Sequence, residues 1–329
     1  HVRYPGTGKI LIESGMLKDD IRISGMEVSF SIIFEKDNDP FRKSVVKAAE
    51  TAIHTYVDEN IAVHVHMKFR KQNTPVKSDE GTALKAKHAI AIHSGKGGVG
   101  KSTVAANLAI TLAKMGYKVG LLDADIHGPS VPKMFHTEGC RPVSTPVNGR
   151  NLIEPIEQYG VKMLSIGYFV DPQQAVVWRG GMASNAIKQL ILDANWGELD
   201  YFLIDLPPGT SDIHLSLVQH LQLTGAIVVT TPQPVALVDA RKGVDMFRNE
   251  KINVPVLGLI ENMAWFTPAE LPNNRYYIFG KDGGKELAKE MNIPLLGQVP
   301  LVQSIREGGD EGMPISMRDG HPAAQMFAE

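Results

Sequence analysis

The chain has 329 residues, long enough for one large domain and a smaller one. Lysine and arginine number 34 against 36 aspartates and glutamates, so no overall basic field points to nucleic acid or an anionic membrane. A single cysteine, Cys140, excludes an intrachain disulfide framework and an all-cysteine metal site within one chain. With no apolar run of transmembrane length and no charged-then-apolar signal segment, the expected location is the cytoplasm. The sequence opens on His1 rather than methionine, which leaves room for a short missing leader.

The run Pro5-Gly6-Thr7-Gly8-Lys9 has the look of a phosphate loop but lacks a first glycine at the needed spacing, so it reads as a turn. Residues 21–23 and 28–32 alternate as two strands around a turn at Gly25. A helix is expected from 40 to 57, with Phe41, Val45, Ala48, Ala49, Ala52 and Ile53 on its apolar face. Residues 61–69 then alternate, Ile61, Val63, Val65, Met67 and Phe69 against Ala62, His64, His66 and Lys68, as a half-buried strand. Together these make a small α+β domain over 1–70. The polar stretch that follows, with a proline and a glycine and no periodicity, reads as a linker over 71–87.

From residue 88 to 329 the texture changes. Apolar runs at 88–93, 119–122, 201–204, 226–229 and 256–260 alternate with helical segments. Strands apolar on both faces belong in a mostly parallel sheet covered by helices, so the fold expected is a doubly wound α/β domain.

Directly after the first of these strands, Gly95-Lys96-Gly97-Gly98-Val99-Gly100-Lys101-Ser102 fits the phosphate-loop pattern G-x-x-x-x-G-K-S/T. Glycines let successive backbone N–H groups turn towards phosphate oxygens where a side chain would block them. The helix expected at 104–115, closed by Gly116, adds its N-terminal dipole to the same anion. Lys101 can neutralise the terminal phosphates and the Ser102 hydroxyl can ligate Mg²⁺. A carboxylate at an adjacent strand end is also needed, and Asp205 supplies one, followed by the stiff turn Leu206-Pro207-Pro208-Gly209-Thr210. Asp123 and Asp125, after strand 119–122, are a second pair, either of which could orient an attacking water.

The second lysine in the loop, Lys96, makes the span from Gly95 to Thr103 resemble the deviant Walker A signature of the MinD, ParA and nitrogenase iron-protein superfamily. What this resemblance implies is a homodimer, with two ATP molecules at the interface and Lys96 completing the partner's site. Asp123-Ala124-Asp125-Ile126-His127-Gly128-Pro129-Ser130, Trp178-Arg179-Gly180, Trp196-Gly197-Glu198-Leu199-Asp200, Asp205 to Asp212 and Thr231-Pro232-Gln233 further resemble the Mrp branch. That branch implies an ATP-dependent carrier of iron–sulfur clusters for apoproteins, with assembly factors as possible partners and no nucleic acid or membrane. By the same resemblance Asp125 orients the hydrolytic water and Asn262 contacts adenine. The Pro300-Leu301 backbone lies on the other edge of the base, and Ser102 with Asp205 holds the metal. No N-K-x-D guanine-reading tetrapeptide occurs, which favours ATP over GTP.

One departure matters. Mrp-type carriers usually place a C-x-x-C pair after the segment 261–266; here Pro268 and Leu271 stand at those positions, and neither can bind iron. Cys140 from two copies gives at most two thiolates. His64 and His66, with His54, could bind a metal but read as polar surface, and Glu270 is a poor cluster ligand. Arg179 reads equally as a phosphate or partner contact and as an acid's partner. Asp239 and Arg241 read as helix-start charges, and Met182, Met246 and Met263 as core filler. Two rivals to a cluster carrier follow: an ATP-switched adaptor, and a positioning ATPase of the ParA or MinD kind. Against the latter, residues 321–329 are too short and acidic-ended for a membrane anchor.

Overall fold

The computed structural model describes residues 2, 4, 10–12, 14–17, 21–34, 41–69, 84–126, 128–147, 149–169, 180–210, 214, 217, 221–268, 270–271 and 273–329. The turn expected at 5–9, most of the linker, and Trp178 with Arg179 lie outside the described residues. Two compact units divide at residues 80 and 81.

In the first unit, β1 (Arg22–Ser24) and β2 (Glu27–Phe34) form an antiparallel hairpin whose turn uses Gly25 at φ +59. Helix α1 (Arg42–Tyr56) then crosses over to β3 (Ala62–Phe69), which pairs parallel with β2. Val45 and Ala49 bury one stripe of α1 against Phe30, Ile32 and Phe34. Two residues of the expected apolar face do not join it. Phe41 lies just before the helix and its ring meets the edge of Tyr4 instead, and Ala48 flanks the stripe in solvent. Met67 is also exposed, near the open end of an edge strand.

The second unit is an eight-stranded sheet covered on both faces. In chain order its strands are β4 (Lys85–His93), β5 (Val119–Asp123), β8 (Ile156–Gln158), β9 (Val161–Ser165), β10 (Glu198–Asp205), β11 (Gly225–Thr230), β12 (Val256–Phe266) and β13 (Leu295–Leu301). A separate hairpin, β6 (Ser144–Val147) with β7 (Arg150–Ile153), precedes β8. In space the order is β13-β12-β11-β4-β10-β5-β9-β8, parallel throughout except for β8. Strand β4 starts at Lys85, earlier than the apolar run, because the sheet ladder continues through Ala86 and Lys85 to Glu198.

Successive residues of the central strands serve opposite cores. Ala91, Leu122 and Ile204 pack with Trp196 and α4 (Gly180–Leu192) on one face. Ile92, Leu121 and Leu203 pack with α2 (Lys101–Lys114) on the other. This period-2 alternation of two apolar sides is what a doubly covered strand requires. From β10 the chain passes over β4 to β11, and the reversal opens a crevice at the carboxyl ends of β4 and β10. Among the described residues, no helix is long and apolar enough to cross a membrane.

Candidate functional site

The loop between β4 and α2 sits in that crevice. Gly98 and Gly100 take φ of +82 and +85, where an L side chain would be strained. Gly100 is also confined, since a Cβ there would lie 2.2 Å from the Asn262 amide nitrogen. At Gly95 a Cβ would meet the Asp239 carbonyl oxygen at 2.1 Å, on α5 (Pro234–Arg248). At Gly97 and Gly98 nothing approaches, so their backbone faces open space. Val99 anchors the loop in the core below. The result is a rigid cradle of backbone over a helix N-terminus, suited to a polyphosphate. Helix α2 begins at Lys101 rather than at residue 104, because Lys101 and Ser102 form its first turn.

Lys101 is only 5% exposed and is caged by acids. Its Nζ lies 2.5 Å from Asp205 Oδ1 and 3.8 Å from Asp125 Oδ2, and donates to Ser102 Oγ at 3.2 Å. Asp205 is fully buried, and its second oxygen, Oδ2, has no hydrogen-bond partner. Burial pushes its carboxyl above the ordinary carboxylate range, against the pull of Lys101 and Ser102. An orphaned anionic oxygen beside a serine hydroxyl, under a phosphate cradle, is a donor set that fits Mg²⁺.

The pair Asp123 and Asp125 divides its labour. Asp123 aligns with Asp205 across β5 and β10. Its two oxygens accept from the N–H groups of Asp125, Ser130 and Val131 and from Ser165 Oγ, at 3.0–3.2 Å. Asp123 therefore folds the loop that presents Asp125, and Asp125 is the acid that faces Lys101. Burial, then the neighbouring Asp205, push the Asp123 carboxyl up to about 7. Ser165, at the end of β9, is a supporting residue that sequence reasoning missed. The turn after Asp205 is tied to the end of the neighbouring strand β4, with Gly209 N–H donating to the Ser94 carbonyl at 2.9 Å.

Asn262 lies within β12, opposite Val299 of the neighbouring strand β13, whose last two residues are Pro300 and Leu301. The Asn262 side chain is committed downward, its amide donating to the Val99 carbonyl at 2.8 Å. Met263, next in sequence, holds φ +55 at an irregularity of the β12 ladder, a strained backbone beside the loop. Lys96, by contrast, stands exposed at the top of the loop, and among the described residues its ammonium has no partner. The Thr103 carbonyl accepts from Asn107 inside α2.

Apart from Ser102 and Asp205, the residues weighed as metal or cluster ligands do not assemble. Among the described residues, no group of three or more histidine, cysteine, aspartate or glutamate side chains could hold a metal ion. Cys140 is half-buried beyond α3 (Val131–Met134). His64 and His66 share an exposed face of β3, while the His54 ring is paired with the Ile61 carbonyl at 2.9 Å. Arg241 forks onto Glu290 of α6 (Gly283–Glu290), at 2.6 and 2.5 Å, and Asp239 pairs with Lys242. Met182 is 59% exposed on the outer side of α4, not core filler.

One buried group was not anticipated at all. His93, the residue before Ser94, is fully buried with neither ring nitrogen hydrogen-bonded, and packs edge-to-face on His214 (5.2 Å) and Phe247 (5.4 Å). Burial, then His214 and Lys101, hold its pKa down at about 3 against an ordinary 6.5. As pH falls, the unfolded chain takes up this proton first. The stability it contributes is complete above 6.5 and is lost towards 3, by about 2 kcal/mol at pH 5. Asp123 acts in the opposite sense, costing stability as pH rises from about 4 to about 7. We therefore expect the two to offset each other in the natural chain. His93→Leu should instead be more stable at pH 5 than at pH 7 by denaturant midpoint, and an unchanged pH profile would refute the assignment.

Comparison with known proteins points one way. A family description for NUBPL iron-transfer P-loop NTPases matches residues 85–329. An iron–sulfur cluster carrier protein of Synechocystis is 44% identical over 315 residues, covering 95% of this chain and 88% of its own. The iron–sulfur cluster transfer protein NUBPL of Mus musculus is 47% identical over 228 residues, 69% of each chain. Among solved structures, a nucleotide-binding protein from Archaeoglobus fulgidus in complex with ADP aligns with TM-score 0.62 at 35% identity, over 74% of this chain and 93% of that one. The cell-division ATPase MinD of Pyrococcus furiosus shares the fold, with TM-score 0.54 at 24% identity over 74% and 95% of the two chains. With the phosphate loop, its acids and these relatives in agreement, the chain belongs to the iron–sulfur cluster carrier and transfer family of P-loop NTPases.

Proposed function

We propose that this chain is a homodimeric switch that binds MgATP, hydrolyses it slowly and serves iron–sulfur protein assembly in the cytoplasm. The observation that carries the reading is Lys101, held against Asp205 and Asp125 beneath an open glycine cradle. A nucleotide's terminal phosphates compete for that ammonium, and drawing it upward frees both carboxylates. Asp205 and the Ser102 hydroxyl are the residues that would hold Mg²⁺, which would supply neutralising charge for the phosphate oxygens. Asp125, positioned through Asp123, orients the attacking water. Backbone from Gly95 to Thr103 cradles the phosphates, and Lys96 reaches across to the partner's site. Asn262 and the Pro300-Leu301 backbone frame adenine, which requires the Asn262 amide to leave the Val99 carbonyl. The ADP bound by the Archaeoglobus protein supports this choice of ligand.

In this reading the ATPase spans 88–329, joined through a linker at 71–87 to the small domain at 1–70. The cluster is cargo, and among the described residues no ligand group for it assembles, while Pro268 and Leu271 carry no donor. This favours an adaptor that recruits partners under ATP control over a carrier that bridges a cluster across its dimer. Anaerobic reconstitution, reading iron per dimer alongside MgATP binding, tests it. The expected result is intact ATP binding with no stoichiometric cluster. A stable cluster lost in Cys140→Ser would overturn the adaptor reading and place two ligands.

A further inference from the structure

Beyond the nucleotide site, one surface of the second unit pairs free cations with exposed apolar side chains. The chain leaving β12 forms a loop closed at its base by two hydrogen bonds between Phe266 and Tyr276, each 2.8 Å. On and just after this loop, Leu271, Tyr276, Tyr277 and Ile278 are 46, 45, 38 and 59% exposed. Exposed apolar groups concentrated on one loop, instead of scattered singly, mark a contact surface.

Two cations are built into it. The Arg275 guanidinium stacks over the Trp265 ring at 4.2 Å, and the Lys281 ammonium lies 5.1 Å from the Tyr277 ring centre. Stacking fixes each cation in place while leaving its N–H groups directed at whatever approaches. Among the described residues neither has a carboxylate partner. The nearby acids are engaged elsewhere: Asp282 accepts from Gln298 at 3.1 Å, and Glu261 accepts from Gln298 and from the N-terminus of α6. Glu270 is exposed and forms no ion pair with either cation.

We propose that this loop is the docking surface for an acidic segment of a partner protein, one that carries carboxylates beside aliphatic or aromatic side chains. Charge complementarity selects the acids, and Leu271 and Ile278 select apolar neighbours that a phosphate backbone does not offer. The proposal deepens the adaptor reading above, since it supplies the partner's site. The loop is also continuous with the nucleotide site, because Trp265 and Phe266 end the strand whose Asn262 holds Val99.

The test uses the full chain, with a random copolymer of glutamate and tyrosine as probe and a lysine–tyrosine copolymer as control, followed by fluorescence anisotropy. Wild type is expected to bind the acidic copolymer in a salt-sensitive manner and to ignore the basic one. Arg275→Glu with Lys281→Glu should weaken binding at least about tenfold, with MgATP turnover unchanged. Ile278→Ser, which removes apolar surface without adding charge, should weaken it through the apolar half. Equal binding by the charge-reversal variant would overturn the proposal. So would a loss of dimer in that variant, which would assign the loop to a second copy, or stronger binding to phosphatidylglycerol vesicles than to the copolymer. If wild type bound the copolymer but not MgATP, the proposed function would fail while this surface stood.

Discussion

Lys101→Ala is expected to abolish MgATP binding, weakening it at least a hundredfold, or about 3 kcal/mol. The same change should also destabilise the chain without nucleotide. Lys101 is buried against Asp205, and removing one partner of a buried pair strands the other charge, at about 3–5 kcal/mol. That penalty has a defined pH sense. Asp205 is already pushed above the ordinary carboxylate range by burial, and without the ammonium it protonates more readily still. The variant should therefore recover stability as pH is lowered, read by denaturant midpoint at pH 7 and at pH 5.5. Folding and binding can be separated with the double variant Lys101→Ala, Asp205→Asn. It should regain much of the stability, because no buried charge is left unpaired, yet bind nucleotide no better. MgATP affinity within threefold of wild type in Lys101→Ala would sink the assignment of the site.

Lys96→Ala should behave in the opposite way. Lys96 is exposed and unpartnered among the described residues, so stability should not change and ATP affinity should fall by no more than about threefold. Turnover should drop by roughly 10²–10³-fold, the size of effect seen when one preorganised donor is removed from a site of developing negative charge. The in-trans role has a sharper test. Mixing Lys96→Ala with Lys101→Ala chains produces dimers in which one subunit has a sound phosphate loop and the other supplies Lys96. Neither variant turns over alone, but the mixture should recover roughly a quarter of wild-type activity, one working site in each mixed dimer. No recovery would place Lys96 in its own subunit's site.

Much of this site was legible in the sequence because its chemistry depends on local spacing. The glycines, Lys101 and Ser102 lie within one loop, and a strand apolar on both sides before it with a helix after it sufficed to place the phosphate cradle. Asp205 was found as the acid at the end of another such strand. What the spacing did not carry was the choice between Asp123 and Asp125. That choice rests on Ser165, Ser130 and Val131, up to 42 residues away, which consume the oxygens of Asp123 and leave Asp125 to face Lys101. His93 read as one more residue of an apolar strand, and nothing local announced that its ring would be buried on His214 and Phe247. Met182 failed for the complementary reason. An apolar side chain on a helix shows its face only once the sheet beneath it has been placed, and this one points outward.

The amino-acid sequence by itself therefore determined the doubly wound class, the phosphate loop, and the absence of thiols at Pro268 and Leu271, since each is a property of residue type and local period. Only the tertiary structure decided the caging of Lys101 by two carboxylates, the orphaned oxygen of Asp205, the clamp of Asn262 on Val99, and the display of Arg275 and Lys281 on aromatic rings. The Asp205 and Asn262 contacts join a strand residue to the phosphate loop or the first turn of α2, more than a hundred positions away. Even the short-range stacks exist only because the turn of the backbone aims each cation at its ring, which no linear pattern encodes.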